Sequence, residues 1–176
     1  MENIYTKRLV LRPYREEDLD AVHSYLSDKE VTRYMILGPF TNQEETKAYL
    51  DKIINQVYLA HPLLTYEYAV EYQGQLIGGV SIEVNDDQNE AELGWVLHPG
   101  YQRKGLMSEA AMAIKMYAIE ILKIPYVYAR CDGKNIPSQR LMRKIGLHKE
   151  KVIAGVRINK DNGHYEHDEW VFSCRQ

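Results

Sequence analysis

The sequence is short of several things that would announce a function. Cysteine occurs only twice, as Cys131 and Cys174, far apart in the chain. Two isolated cysteines make neither a disulfide framework nor a metal-ligand pair, and a reduced, cytoplasmic setting is expected. No apolar run is long enough to span a bilayer. The N-terminus lacks a basic segment followed by an apolar run, so no signal peptide is expected. Charge of one sign is not dominant: the formal net charge is −3, which gives no bulk attraction to nucleic acid or to an anionic membrane surface. There is no Gly-x-Gly-x-x-Gly and no Gly-x-x-x-x-Gly-Lys-Ser/Thr, which argues against a nucleotide-binding protein. Internal repeats, low-complexity runs and linkers are also missing. What remains is an ordinary globular composition, 45% hydrophobic and 27% charged. A chain of 176 residues can bury a substantial core, and residues 1–176 are expected to form one domain. The 14 tyrosines are dispersed and suit core and half-buried packing.

One stretch organises the rest. Glu90 to Leu97 reads as a strand that Pro99-Gly100 breaks. From Gly105 to about Leu122 apolar residues recur three and four apart: Leu106, Ala110, Ala113, Ile114, Tyr117, Ala118 and Ile121. Between strand and helix, the backbone N–H groups of Arg103 to Ser108 are left without partners. A helix start carries partial positive charge and free donors, so it suits a phosphate or pyrophosphate. Gly105 removes a side chain where a ligand would approach, and Arg103 and Lys104 add charge. The plainer reading is a strand–turn–helix connection with a solvated Arg-Lys pair.

The other elements follow in order. Leu9 to Leu11 reads as a strand and Arg15 to Leu26 as a helix, with Leu19, Val22, His23 and Leu26 on one face. Tyr34 to Thr41 is irregular. Thr41 or Asn42 caps a second helix that runs to about Leu59. Tyr66 to Tyr72, Gln75 to Val84 and Glu90 to Leu97 read as an antiparallel meander. A strand at Tyr126 to Arg130 follows the Gly105 helix as a parallel crossover. A helix from Asn135 to Ile145, closed by Gly146, precedes two final strands, His148 to Val156 and Tyr165 to Cys174.

The stretch Gln102-Arg103-Lys104-Gly105-Leu106-Met107 resembles the Gln/Arg-x-x-Gly-x-Gly/Ala signature of the GNAT N-acetyltransferases, with Met107 at the last position. Thr6 to Pro13 resembles the opening of the RimJ/RimL branch of that family. Asn135-Ile136-Pro137-Ser138 through Leu147 resembles its Asn-x-x-Ser-x-x-Leu-x-x-Lys-x-Gly-Phe segment, and His164 to Asp168 its closing strand. The resemblance implies an α/β GNAT fold: a mixed, mostly antiparallel sheet of about seven strands flanked by helices, splayed between strands four and five. It also implies transfer of an acetyl group from acetyl-CoA to an amine. The acceptor would be a small molecule or a protein N-terminus.

Residue by residue, the resemblance assigns the pyrophosphate to Gln102, Arg103, Lys104, Gly105, Leu106, Met107 and Ser108. Val96, Leu97 and His98 would hold the pantetheine arm, and a backbone N–H near Val96 would stabilise the developing oxyanion. Asn135 would hydrogen-bond the arm. Ser138 is the candidate acid for the leaving thiolate, with a water as the equal alternative, and Glu92 the expected base, acting directly or through water. Glu83, Glu90 and Asp168 are weaker candidates for the base. His98 reads more simply as a strand-end residue. His164 and His167 stand three apart and would face opposite sides of a strand, so no metal site is expected. Cys131 reads as a small buried residue rather than a nucleophile. A monomer or a homodimer is expected. The competing reading is a CoA-binding sensor that has lost catalysis.

Overall fold

The computed structural model describes residues 1–175. Its centre is one sheet of eight strands: β1 (Ile4–Tyr5), β2 (Leu9–Arg12), β3 (Thr65–Tyr72), β4 (Gln75–Val84), β5 (Glu90–Leu97), β6 (Tyr126–Asp132), β7 (His148–Ile158) and β8 (Tyr165–Arg175). They lie in the order β1-β2-β3-β4-β5-β6-β8-β7. Every pairing is antiparallel except β5 with β6. The strand beyond the expected seven is β1, a two-residue segment that pairs with Val10 and Leu11. It is too short to show an alternating pattern.

Helices cover both faces. On one side lie α4 (Leu106–Met116) and α5 (Ile136–Lys144); on the other lie α1 (Leu19–Leu26), α2 (Lys29–Thr32) and α3 (Gln43–Lys52). The larger core packs Leu11, Tyr68, Val80, Ile82, Leu93 and Phe172 against Leu106, Ala110, Ile114 and Met142. A smaller core on the opposite face joins Tyr14, Val22, Tyr25, Leu26, Leu50 and Ile53 to Ala69. Burial of such side chains is the main force holding helices to the sheet.

Local chemistry sets the element ends. Asn42 caps α3 by accepting from the Glu45 N–H, and the Glu45 carboxylate returns to the Thr41 N–H. The first turn of the expected Arg15–Leu26 helix is instead a tight 3₁₀ turn, Glu16–Asp18. Its Asp18 carboxylate is drawn to the Arg12 guanidinium, with two bonds of 2.8 Å, and to the Arg15 N–H. Two long helices end in π turns, Ile53–Val57 and Tyr117–Ile121. A π turn carries extra residues per turn and shifts the buried face. Ile121, expected on the apolar stripe, is therefore 63% exposed, and Ile119 is buried instead.

Candidate active site

The parallel junction is short. Glu90, Ala91 and Glu92 pair with Tyr126, Val127 and Tyr128, and the pairing stops there. On its other edge β5 stays paired to β4 as far as Gly78 with Leu97. Beyond Glu92 the sheet therefore forks, with Leu93–Leu97 on one prong and 129–132 on the other. A Cβ on Gly78 would lie 2.3 Å from the Val96 carbonyl oxygen, so the close approach of β4 to β5 beside the fork requires glycine there.

At the top of β5, the His98 Nδ1 accepts the Gly100 N–H and caps a short 3₁₀ turn, Pro99–Tyr101. That is the strand-end role. The Gln102 side chain reaches the Leu97 carbonyl at 3.4 Å. The chain then takes two left-handed steps, Arg103 at φ +63° and Gly105 at φ +74°, before α4 starts. Among the described residues, no backbone N–H of residues 103–108 donates a hydrogen bond within the chain. An ideal Cβ at Gly105 would meet only the Arg8 Nη2 at 3.6 Å and the Lys144 Nζ at 4.0 Å. Arg8 and Lys144 thus add positive charge beside the free donors; Lys104, within the loop, turns its ammonium to the Gly100 carbonyl at 2.8 Å. Arg8 is fixed there by Glu109, at 2.7 Å, and by the Lys104 carbonyl. Neither residue was singled out in the sequence, although both lie inside quoted motifs. Leu106 and Met107 turn into the larger core, so the large side chain at position 107 takes no space from the loop.

Across the fork, the Asn135 side chain accepts the Ser138 N–H and caps α5, with Pro137 in the first turn. Ser138 is buried. Its Oγ accepts the Trp95 indole N–H at 3.3 Å, which ties α5 to β5. Cys131 lies against Ser138, and burial pushes its thiol up to about 11. A thiol held protonated in this way is a poor nucleophile.

The face of the sheet toward α1 and α3 carries the carboxylates. Register sets Glu67 opposite Ser81 and Ser81 opposite Gly94; one step below, Glu83 faces Glu92. The Glu92 carboxylate is gripped by Arg130, at 2.6, 2.9 and 3.0 Å. Arg130 also reaches Glu169 at 3.4 Å, and Glu169 pairs with Arg157 at 2.7 Å. Glu67 and Glu83 have no ion-pair partner among the described residues. Burial, reinforced by Glu83, pushes the Glu67 carboxyl up to about 8. Burial, reinforced by Glu92, also raises Glu83. Tyr58 packs beside Glu67, taking the Tyr14 N–H and donating to the Glu67 carbonyl, each at 2.7 Å. Burial raises the phenols of Tyr14, Tyr25, Tyr49 and Tyr58, so this wall is neutral. Glu90 is exposed at the start of β5, and Asp168 accepts the Gly155 N–H. His164 lies in a turn, whereas His167 is buried against Asp132.

Two loops stand over this face. Lys160, in the β7–β8 turn, donates to the carbonyls of Thr32, Leu37 and Gly38 at 3.0, 3.3 and 2.6 Å. Arg33 reaches Asp161 at 3.4 Å. The segment after α2 and the tip of the β7–β8 hairpin are therefore bound together.

Comparison with known proteins identifies the family and the fold. A family model described as the acetyltransferase (GNAT) domain matches residues 8–148. An N-acetyltransferase of Bacillus subtilis, YnaD, is 36% identical over 84% of this chain and 84% of its own length. The spermidine N(1)-acetyltransferase of Escherichia coli is 30% identical over 78% of this chain and 71% of its own. Among solved structures, a GNAT acetyltransferase from Bacillus anthracis superposes with a TM-score of 0.86 at 28% identity, covering 99% of this chain and 98% of that one. The ribosomal L7/L12 alpha-N-protein acetyltransferase RimL, solved in complex with coenzyme A, has the same fold: TM-score 0.86, 21% identity, 99% and 98% coverage.

Proposed function

The chain belongs to the GNAT acetyltransferase family, and from that premise we propose that it moves the acetyl group of acetyl-CoA onto a primary amine by direct attack on the thioester. The observation that carries this reading is the loop from Gln102 to Ser108. It offers unpaired N–H donors at residues 103–108, with Arg8 and Lys144 beside Gly105 and the basic residues Arg103 and Lys104 in the loop itself, next to a fork in the sheet. Such a cradle suits a pyrophosphate. The fork suits the amide-bearing pantetheine arm, which would run along Val96, Leu97 and His98 as an added strand. Asn135 and Ser138 flank the arm from α5.

The chemistry then distributes as follows. A backbone N–H near Val96 stabilises the negative charge that develops on the carbonyl oxygen. The amine nitrogen bonds to the acetyl carbon, the carbon–sulfur bond breaks, and the sulfur leaves as a thiolate. Ser138, or a water beside it, supplies the proton to that thiolate and is reprotonated from solvent; the Ser138 oxygen takes the Trp95 N–H, which positions the hydroxyl. The proton lost by the amine goes to a carboxylate. We assign that role to Glu67 in preference to Glu92, because Glu92 is occupied by Arg130 whereas Glu67 has no cation partner and titrates near neutrality. Glu67 stands two strand spacings from β5, about 10 Å, across a row formed by Ser81 and Gly94, so water relays the proton. On the same reading residues 1–176 act as one catalytic domain. The alternative is a CoA-binding module without catalysis; Met107, the departure from the family signature, gives it no support, because its side chain is buried in the core.

Calorimetric titration with acetyl-CoA, followed by thiol release against a panel of amines and N-terminal peptides, tests the reading. Gly105→Glu adds a carboxylate beside Arg8 and Lys144 at a left-handed position, and should weaken acetyl-CoA binding at least 100-fold (about 2.7 kcal/mol) in a folded protein. Unchanged affinity would reject the loop as the pyrophosphate site.

A further inference from the structure

A cavity of about 50 Å³ lies where the tied loops meet the sheet, and the site chemistry does not use it. Its lining is cationic. Arg33 and Lys160 approach from above and Lys134 from below, against one lining carboxylate, Asp161, which is 71% exposed; outside the lining, Arg33 also reaches the exposed Glu30 at 3.7 Å. Lys160 spends its ammonium hydrogens on the three carbonyls, so it lends charge but no donor. Lys134 differs. Its ammonium donates to the His167 Nε2 at 2.8 Å, and the His167 Nδ1 faces the Asp132 carboxylate at 2.7 Å. Asp132 and His167 are both buried, and Asp132 also accepts the Lys134 N–H. The carboxylate holds the ring with Nδ1 protonated, so Nε2 is an acceptor. One Lys134 hydrogen is thereby fixed and two remain to serve the cavity. A buried Asp–His pair whose outer nitrogen orients a lysine at a cavity edge is a positioning device.

The cavity is close to the fork. Glu92 faces Tyr128 in the parallel pair, so four residues further on Asp132 stands level with Val96 on the opposite prong. Lys134 lies two residues past Asp132 and directly precedes the Asn135 cap. The acceptor face therefore differs on the two sides of the fork: Glu67 and Glu83, carboxyls without an ion-pair partner among the described residues, on one side, and a lining with more cations than carboxylates on the other.

We infer that this cavity binds an anionic group, carboxylate or phosphoryl, carried by the amine acceptor itself, with Lys134 and Arg33 as its direct partners. The acceptor is then a small amine bearing an acid, such as an ω-amino acid or an aminoalkyl phosphate, rather than a polyamine. The size suits an oxyanion: about 10–15 Å³ of such space is enough for one water, so the cavity has room for a group the size of a few waters. This assignment of acceptor class rests on the acetyl-transfer reading above; the anion site itself does not.

Two measurements test it. Thiol release is compared for matched pairs, phosphoethanolamine with ethanolamine and β-alanine with its amide. The acid-bearing member should show kcat/KM at least about tenfold higher. In Lys134→Met/Arg33→Met that ratio should fall toward one, whereas Arg33→Lys should retain the preference. Equal kcat/KM within the pairs, or a preference that survives the double substitution, overturns the proposal. Independently of turnover, inorganic phosphate should shift the imidazole NMR signals of His167 in the full chain and compete with the amine. A phosphate effect that is not competitive with the amine would assign the cavity to a free anion and overturn the acceptor assignment. No shift of His167 would overturn the site. A shift with no thiol release from any amine would support the anion site while rejecting the acetyl-transfer reading.

Discussion

Arg130 clasps Glu92 at the last paired step of β5 and β6, with its shortest contact at 2.6 Å. The ion pair bridges the two strands at the crotch of the fork: Glu92 is in the last pair, and Arg130 reaches back to it from two residues past Tyr128 on the other prong. Both side chains are partly exposed, so the pair is worth about 1 kcal/mol. Arg130→Met should lower stability by about that amount and loosen the geometry of the thioester site. Glu92→Gln should reduce kcat far less than Glu67→Gln, because it removes a strap rather than the base. Steady-state thiol release on the two variants decides between them; a larger loss for Glu92→Gln would return the base role to Glu92.

Glu67 makes two predictions of pH dependence. Its ordinary value of 4.5 is raised to about 8 in the fold. Between those values the folded chain holds a proton that the unfolded chain has released, so stability falls as pH rises through the window, by at most about 1.4 kcal/mol per unit. Glu67→Gln should flatten this slope, raising the melting temperature at pH 8.5 and leaving it nearly unchanged at pH 4. In activity the sign is opposite. With an acceptor whose amine titrates above pH 10, wild-type kcat/KM should rise an additional step near pH 8, as the carboxylate forms. That step should be missing in Glu67→Gln, whose rate falls about 10- to 100-fold.

Ser138 separates binding from chemistry. Ser138→Ala removes the acid for the thiolate and the acceptor of the Trp95 N–H. Turnover should fall about tenfold or more while the Kd for acetyl-CoA changes less than threefold. A variant with normal kcat would hand protonation of the thiolate to water.

Arg12 anchors the helical layer that walls the acceptor face. It makes two bonds with Asp18 and one with Glu71, all at 2.8 Å, and is almost fully buried. Removing one partner of a buried pair strands the other charge. Arg12→Met should cost about 3 kcal/mol in chemical denaturation, and Asp18→Asn a similar amount. A cost below about 1 kcal/mol would show that the carboxylates relax into water.

Much of the candidate site was legible because backbone geometry demanded particular residues. Gly105 at a left-handed angle, Asn135 as a cap and Pro137 in a first turn are local requirements that leave a mark on local sequence. The fork was expected only through the resemblance, since nothing in Glu90 to Leu97 says where pairing with Tyr126 to Arg130 stops. Glu67 was passed over for a related reason. In Thr65–Tyr72 it looks like any polar residue of an alternating strand, and only register with Ser81 and Glu83 sets it near a second carboxylate. Arg8, Lys134 and Lys160 were equally silent, because their partners lie far along the chain: Lys160 meets residues 122 to 128 positions away. Ile121 was misassigned because a π turn breaks the helical count that periodicity assumes.

The short junction between β5 and β6 has a mechanical consequence. Five strands on one side and three on the other share a seam of three residue pairs, so the sheet consists of two plates held along a brief hinge. If the pantetheine arm lies in the opening above that seam, it works as a splint. Pulled apart across the sheet, the unliganded protein should part along this line first, and acetyl-CoA should raise the rupture force there more than anywhere else in the molecule.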